Sequence, residues 1–190
     1  DVPIDTGDFP RPVIDPSTLD SAQWRRCMNV PAGSEPIIER MGFVNRAPMF
    51  PRDHFATGGV SAGSILPLTF RYCSFDSVWR AIAPDTATRL RRYVVEDCRF
   101  TYAPRTQIYA PNPAGSDVRR SYFHGYHMKG DFVSTGPSSI VEECFFTGDS
   151  VWRGVMLEGL ETEVALGNCV FAFMDSCNSA FRVWRSANAV

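Results

Sequence analysis

Four copies of the pattern Cys-x-Phe decide the fold: Cys73-Ser74-Phe75, Cys98-Arg99-Phe100, Cys144-Phe145-Phe146 and Cys169-Val170-Phe171. Their cysteines lie 25, 46 and 25 residues apart, so the central interval has room for two periods. Ser121-Tyr122-Phe123 fills that interval with serine in place of cysteine, and Pro48-Met49-Phe50 is a weaker copy before the first. Six units therefore recur every 23 to 25 residues. A repeat of this length is typical of a solenoid.

Each strong copy is preceded by one apolar residue and two mostly polar ones. The apolar residues, three positions before each Cys or Ser, are Phe70, Val95, Val118, Val141 and Leu166. Two consecutive outward residues break the alternation of a single strand and indicate a sharp bend between two strands. Stacked repeats would also form one column of charged residues with alternating sign, which favours this register. The column consists of Arg71, Glu96, Arg119 and Glu142.

A third apolar segment later in each unit predicts a third strand. The segments are 106–109, 126–129, 155–158 and 181–184, aligned so that Ile108, Met128, Leu157 and Val183 point inward. Three short strands per turn resemble the right-handed parallel β-helix of the pectate-lyase-like superfamily over about residues 45–185. The resemblance implies an all-β solenoid of about six coils and supplies the handedness. Each coil would cover the edge of the next and share one core with it.

The first 45 residues differ from the rest because six prolines interrupt any regular element. We therefore predict two units, a Pro-rich cap or extended arm over 1–45 and the parallel β-helix over 46–190. A short helix over 20–26 would suit a cap that covers the open end of the solenoid. An arm that wraps a neighbouring subunit is the alternative.

The cysteines of the repeat are interpreted as a structural column. Small side chains of this kind are among the most often buried. The sequence has no Cys-x-x-Cys pair of the kind that structural zinc sites use. Parallel side chains on neighbouring coils also suit a disulfide poorly. Cys27 and Cys177 lie outside the column, and the sequence leaves their pairing open.

Composition excludes several classes of protein. The chain has 190 residues, of which 44% are hydrophobic and 21% charged, so it is globular rather than disordered. No apolar run approaches the roughly 18 residues of a membrane span. A net charge of −2 argues against nucleic acid as a partner. We expect an exported protein, extracellular or periplasmic.

Residues 122–131 hold the best candidates for a functional site, since they include two of the three histidines and the single lysine. The alignment of third strands points His127 and Lys129 outward. Their expected neighbours are Gln107 and Tyr109 on one side, and Met156, Glu158, Arg182 and Trp184 on the other. Aromatic rings can stack on sugars, and cationic side chains bind acidic carboxylates. An ordinary solvated face, or a face that packs against another subunit, is the alternative interpretation.

The resemblance to β-helix polysaccharide lyases implies roles for these residues. Lys129 or His127 would act as the base that removes the proton beside a uronate carboxylate, and Arg182 would neutralise that carboxylate. Substrate contacts would come from Tyr109, Gln107, Glu158 and Trp184. We expect no cofactor or metal centre, although Glu158, Glu161 and Glu163 could offer oxygen ligands to Ca²⁺. The sequence lacks an Asp-Asp pair like that of the polygalacturonase-like branch, so we rejected ordinary glycoside hydrolysis.

Two functions follow as hypotheses. The first is an exported β-helix that binds an acidic polysaccharide or cleaves it by β-elimination. The second is a non-catalytic structural subunit of a virion, filament or multi-subunit complex, whose partners are other protein subunits. Outward tryptophans at Trp79, Trp152 and Trp184 would suit such an interface. We expect the protein to be an oligomer or part of a complex.

Overall fold

The structure, a computed structural model, describes residues 13–14, 35–44, 54–57, 67–78, 80–84, 92–102, 105–110, 115–158 and 164–184. This part of the chain consists of β-strands and short connections and contains no helix. The strands are β1 Val13–Ile14, β2 Ile37–Glu39, β3 Gly42–Val44, β4 His54–Thr57, β5 Leu68–Arg71, β6 Ser74–Asp76, β7 Arg80–Pro84, β8 Tyr93–Glu96, β9 Arg99–Thr101, β10 Ile108–Ala110, β11 Ser116–Arg119, β12 Tyr122–Tyr126, β13 Asp131–Thr135, β14 Ser139–Glu142, β15 Phe145–Asp149, β16 Arg153–Glu158, β17 Val164–Gly167, β18 Val170–Asp175 and β19 Ser179–Trp184.

The strands form three parallel sheets, which confirms an all-β parallel solenoid. The first sheet has the order β17-β14-β11-β8-β5-β2, the second β1-β3-β6-β9-β12-β15-β18, and the third β19-β16-β13-β10-β7-β4. The described residues form about three uninterrupted turns, which are β11 to β13, β14 to β16 and β17 to β19. The repeat count predicted six coils. The remaining strands extend the same sheets.

Strands from the predicted cap or arm take part in these sheets. β2 pairs with β5, and β3 pairs with β6, so both belong to the solenoid. β1 pairs with β3. The rest of residues 1–45, including the predicted helix over 20–26 and Cys27, lies outside the described residues.

A ladder of stacked phenylalanines fills the core beneath the second sheet. The centroids of neighbouring rings lie 4.7 to 4.9 Å apart, and each ring is tilted by 16° or less from the next. The ladder consists of Phe43, Phe75, Phe100, Phe123, Phe146 and Phe171. Pro48-Met49-Phe50 was the wrong choice for the first copy of the repeat, because Phe43 pairs with Phe75. The interval of 32 residues between them is longer than the period used in the prediction.

The cysteine column lies beside this ladder, and its described members are free thiols. Cys73, Cys98 and Cys144 are buried. Each of these thiols donates to the carbonyl two residues earlier at 3.2 to 3.3 Å. Ser121 makes the equivalent bond to the Arg119 carbonyl at 2.8 Å, which explains why serine can occupy the column. Burial raises the pKa of Cys98 and of Cys144 well above the ordinary value for a thiol.

The corner between the first and second sheets carries the predicted charge column. Glu39, Arg71, Glu96, Arg119 and Glu142 follow one another in register. Arg71 donates to Glu96 at 2.8 Å, and Arg119 lies 3.3 Å from Glu142. Since these side chains are partly exposed, each pair contributes less than about 1 kcal/mol. Their main effect is to favour this register over a shifted one.

The predicted alignment of third strands was wrong in detail. β13 begins at Asp131, whereas residues 126–129 form the end of β12 and the corner that follows. In the third sheet Ile108 is in register with Val133, which is in register with Val155. Val155 is in turn paired with Phe181. The prediction had aligned Leu157 and Val183 with Ile108, so the segments 155–158 and 181–184 are shifted by two residues relative to Ile108. β12 runs for five residues instead of the three in β9, so the corner comes two residues later in that turn than in the preceding one.

Candidate functional site

A groove runs along the corner between the second and third sheets. We call it the corner groove, and its volume is about 720 Å³. It is lined by His127, Met128, Lys129, Ser150, Val151, Trp152, Arg153, Ser176 and Asn178. These residues come from three consecutive turns, in the connections β12–β13, β15–β16 and β18–β19 and at the start of β16.

Backbone geometry aligns the three turns at this corner. His127, Ser150 and Ser176 have left-handed φ angles of 49°, 54° and 56°, so each turns the chain at the same position. The Trp152 amide donates to the Met128 carbonyl at 3.1 Å, and the Asn178 amide donates to the Trp152 carbonyl at 3.2 Å. These bonds between turns bring Lys129, Trp152 and Asn178 into one row across the solenoid.

The groove has an apolar floor and a polar rim. Met128 and Val151 are each only 1% exposed and form part of the hydrophobic core at the floor. Trp152 is 50% exposed, which leaves much of its indole accessible. His127 and Lys129 are exposed on the first of the three turns. An aromatic surface next to hydrogen-bonding groups is common in ligand sites, because it combines contact area with orientation.

Charge is distributed unevenly along the groove. Lys129 makes no ion pair or hydrogen bond with any residue that the structure describes. Arg153, by contrast, donates from Nε to Asp131 Oδ1 at 2.5 Å, so its charge is compensated within the protein. The guanidinium carbon of Arg153 also lies 5.9 Å from the centroid of the Trp152 ring. The ammonium of Lys129 therefore remains as the uncompensated positive charge among the described residues of the groove.

The structure brings together two of the residues predicted for the site and places Arg182, Tyr109 and Gln107 apart from them. His127 and Lys129 both line the corner groove. Arg182 is exposed on β19, on the third sheet, and is absent from the groove lining. It follows Met156 in register, which follows Ser134 and Tyr109. Tyr109 and Arg182 therefore share a row of the third sheet, away from the row of Lys129.

Of the remaining predicted contacts, the structure describes the side chain of Gln107 but not those of Glu158 and Trp184. Gln107 is fully buried, and its Nε2 donates to the His124 carbonyl at 3.2 Å, so its side chain is not on the predicted outward face. Glu158 and Trp184 are backbone partners on β16 and β19, and their side chains lie outside the described part of the structure. The single continuous face was an error of alignment. The catalytic and binding roles assigned to these residues stay predictions.

The sequence analysis missed the polar residues of the second and third turns and gave Trp152 no role in this site. A signal for them was present. Asp-Ser-Val-Trp occurs at 76–79 and again at 149–152, and Asp-Ser recurs at 175–176. At the first two positions the serine hydroxyl donates to the preceding aspartate, at 3.0 and 3.1 Å, and the serine has a left-handed φ. This second repeat marks the corner and would have indicated Trp152 as part of it, although the turn of Lys129 has Tyr126-His127 in place of Asp-Ser.

A metal site is not apparent in the described part of the chain, where no group of three or more His, Cys, Asp or Glu side chains could hold an ion. Glu161 and Glu163, two of the possible Ca²⁺ ligands, lie outside that part. Ca²⁺ binding by these glutamates therefore stays a prediction.

No protein-family model, curated protein or solved structure matches the chain. Within the described residues, no helix has the length and apolar character to cross a membrane. The fold and the site together define the class of protein as an all-β parallel solenoid with a ligand-sized groove along one corner.

Proposed function

We propose that this solenoid binds an acidic polysaccharide in the corner groove. The observation that supports the proposal most directly is the pairing of an uncompensated ammonium, Lys129, with a half-exposed indole, Trp152, on adjacent turns. The ammonium attracts a carboxylate or sulfate group, and the indole offers a flat apolar surface to the face of a sugar ring. An extracellular or periplasmic location would suit this function.

The size and polarity of the groove support the same ligand class. A volume of about 720 Å³ lies within the usual range for ligand sites. The hydroxyls of Ser150 and Ser176 and the amide of Asn178 provide both donors and acceptors. Sugar hydroxyls need both kinds of partner, whereas a purely apolar ligand would leave these groups unpaired.

Cleavage by β-elimination is a separate part of the proposal, based on the resemblance to the pectate-lyase-like superfamily. It needs a base, for which Lys129 and His127 are the candidates, and a cation on the uronate carboxylate. Arg182, the predicted cation, is not among the groove-lining residues, and Arg153 is already paired with Asp131. We therefore propose binding, rather than cleavage, as the main function of the groove.

The binding proposal is tested by affinity electrophoresis in gels that contain polygalacturonate, alginate or hyaluronan. We expect Trp152→Ala and Lys129→Ala to remove most of the retardation of the native protein. Tyr102→Ala is the matched control, because Tyr102 is 54% exposed but does not line the groove. Retardation that survives in Trp152→Ala and Lys129→Ala, but is lost in Arg182→Ala, would move the site to the third sheet and contradict the proposal.

Cleavage is tested by ultraviolet absorbance of unsaturated products with the same polysaccharides. A rise in absorbance with the native protein that is lost in Lys129→Ala or His127→Ala would support elimination. Retardation in the gel without any rise would leave the protein as a binding module.

A non-catalytic structural subunit remains the second candidate, because the last described turn exposes apolar side chains. Leu166 is 39% exposed and Val170 is 48% exposed, on β17 and β18. Apolar groups beside a strand edge suit contact with another chain. Sedimentation is the test: an oligomer that dissociates in Val170→Asp, together with no retardation by any polysaccharide, would favour this candidate.

A further inference from the structure

The three turns of the corner groove differ in charge, and we infer from this that the groove selects a glycan whose acidic units alternate with neutral ones over a homopolymer of uronic acid. The inference depends on the proposed function, since it specifies the ligand of the same groove. It adds a preference for alternating acidic and neutral units, which neither the fold nor Lys129 alone would predict.

Each turn contributes two equivalent positions to the groove. They are His127 and Lys129 on the first turn, Ser150 and Trp152 on the second, and Ser176 and Asn178 on the third. Successive turns are separated by about 4.8 Å, the distance between paired strands. This spacing is close to the length of one sugar unit in an extended chain. A glycan that lies parallel to the solenoid axis therefore meets one pair of side chains per unit.

The first turn favours an acidic unit. Lys129 is exposed and uncompensated among the described residues, and the imidazole of His127 lies on the same turn. Asp131, the nearest acid along the chain, is buried and already bound to Arg153. A carboxylate in the ligand would thus meet a positive charge without a competing acid at this position.

The second turn disfavours an acidic unit. The exposed carboxylate of Asp149 accepts a hydrogen bond at 3.1 Å from the hydroxyl of Ser150, which lines the groove. Arg153 adds no free positive charge here, because Asp131 compensates it. Asp149 does not itself line the groove, but a ligand carboxylate at Ser150 would lie near the carboxylate of Asp149, and like charges repel. A neutral sugar could instead stack on Trp152 and hydrogen-bond to the Asp149–Ser150 pair.

The third turn carries no positive charge, and its Ser176 follows Asp175, the partner of Asp149 in register. Ser176 and Asn178 are exposed and uncharged, and their side chains can donate as well as accept hydrogen bonds. A carboxylate could accept from both, and a neutral sugar could pair with both. An alternating glycan with its acidic unit at the first turn places a neutral unit near Asp149, whereas a homopolymer of uronic acid places a carboxylate there.

The test compares two hexasaccharides by isothermal titration calorimetry. One is a hyaluronan hexasaccharide, in which glucuronate alternates with N-acetylglucosamine, and the other is hexagalacturonate. We expect the native protein to bind the first more tightly. Asp149→Asn should strengthen binding of hexagalacturonate by about two- to fivefold, the range for one partly exposed charge contact, and leave hyaluronan binding nearly unchanged.

Asp76→Asn is the matched control. Asp76 also accepts a hydrogen bond from the serine that follows it, at 3.0 Å, but this serine, Ser77, does not line the groove as Ser150 does. It should change neither affinity. Equal binding of the two ligands, with no effect of Asp149→Asn, would overturn the preference and leave the proposed function intact. Absence of binding to both would overturn the proposed function and, with it, this inference.

Discussion

Asp131 and Arg153 form an ion pair between consecutive turns of the third sheet, with 2.5 Å between Oδ1 and Nε. Their side chains are 6% and 13% exposed. The pair lies at the start of β13 and β16 and holds Arg153 next to the indole of Trp152. A structural contact therefore also helps to position the aromatic surface of the corner groove.

Removing the acid from this pair should destabilise the protein. Asp131→Asn leaves the largely buried guanidinium of Arg153 without its counter-charge, which typically costs about 3 kcal/mol or more. Urea unfolding followed by circular dichroism measures the loss. Glu142→Gln is the control, because its ion pair with Arg119 is 35% exposed on both sides and should contribute less than about 1 kcal/mol. Equal effects of the two substitutions would show that burial does not set the strength of these pairs.

The cysteine column should tolerate serine, whereas the phenylalanine ladder should not tolerate alanine. Cys98→Ser can keep the hydrogen bond to the Glu96 carbonyl, as Ser121 does with Arg119 on the next turn. Phe100→Ala removes a fully buried ring stacked between Phe75 and Phe123, for which the usual cost is about 3–5 kcal/mol. We expect Cys98→Ser to lose less than half as much free energy of unfolding. A larger loss for serine would contradict the equivalence of the two residues.

One thiol of the column should react with alkylating reagents near neutral pH. When Cys169 is a thiolate, the Cys144 thiol can donate to it instead of to the Glu142 carbonyl, and this hydrogen bond lowers the pKa of Cys169 to about 7, against the partial burial that raises it. Since the thiolate is the reactive form, labelling of Cys169 by iodoacetamide should be weak below pH 7 and rise through that value. Mass spectrometry of native protein labelled between pH 5.5 and 9 measures the midpoint.

The same experiment has internal controls in the buried thiols. Burial raises the pKa of Cys98 and Cys144, so both should stay unlabelled across this range unless the protein unfolds. Cys144→Ala should move the midpoint of Cys169 upward, because the hydrogen bond that lowers its pKa is lost. A midpoint near the ordinary thiol value in the native protein would show that this hydrogen bond is absent.

Gly148 should resist replacement because neighbouring turns approach each other closely at this position. Its φ is 151°, and a Cβ there would lie 2.2 Å from the carbonyl oxygen of Gly125, its partner in register. Gly148→Ala should therefore destabilise the protein by about 2 kcal/mol or more. At Gly167 the nearest atom to an added Cβ is 3.6 Å away, so Gly167→Ala is the control. Thermal unfolding that shifts equally in both variants would argue against this close approach.

The sequence was sufficient to predict the core but not the corner. The Cys-x-Phe period identified the stacked phenylalanines from Phe75 onward, because a buried column permits few residue types. The alternating charges of Arg71, Glu96, Arg119 and Glu142 also predicted the register of the first sheet.

The site was harder to predict because connections between strands vary in length. The two additional residues of β12, Gly125 and Tyr126, place the corner two residues later in that turn than in the preceding one. A fixed period carries no information on such insertions. His127 and Lys129 were chosen for their chemistry alone, and the groove that surrounds them depends on the Asp-Ser repeat at the corner.

The left-handed positions of the corner can accept amino-acid substitutions without a change in the core. Backbone hydrogen bonds between turns fix the corner, and its left-handed positions carry His127, Ser150 and Ser176 rather than glycine. Their side chains project from the core, so a substitution there leaves the stacked rings untouched. Residues that tolerate a left-handed backbone could therefore replace one another there and change the chemistry of the groove one turn at a time, without any change in the core.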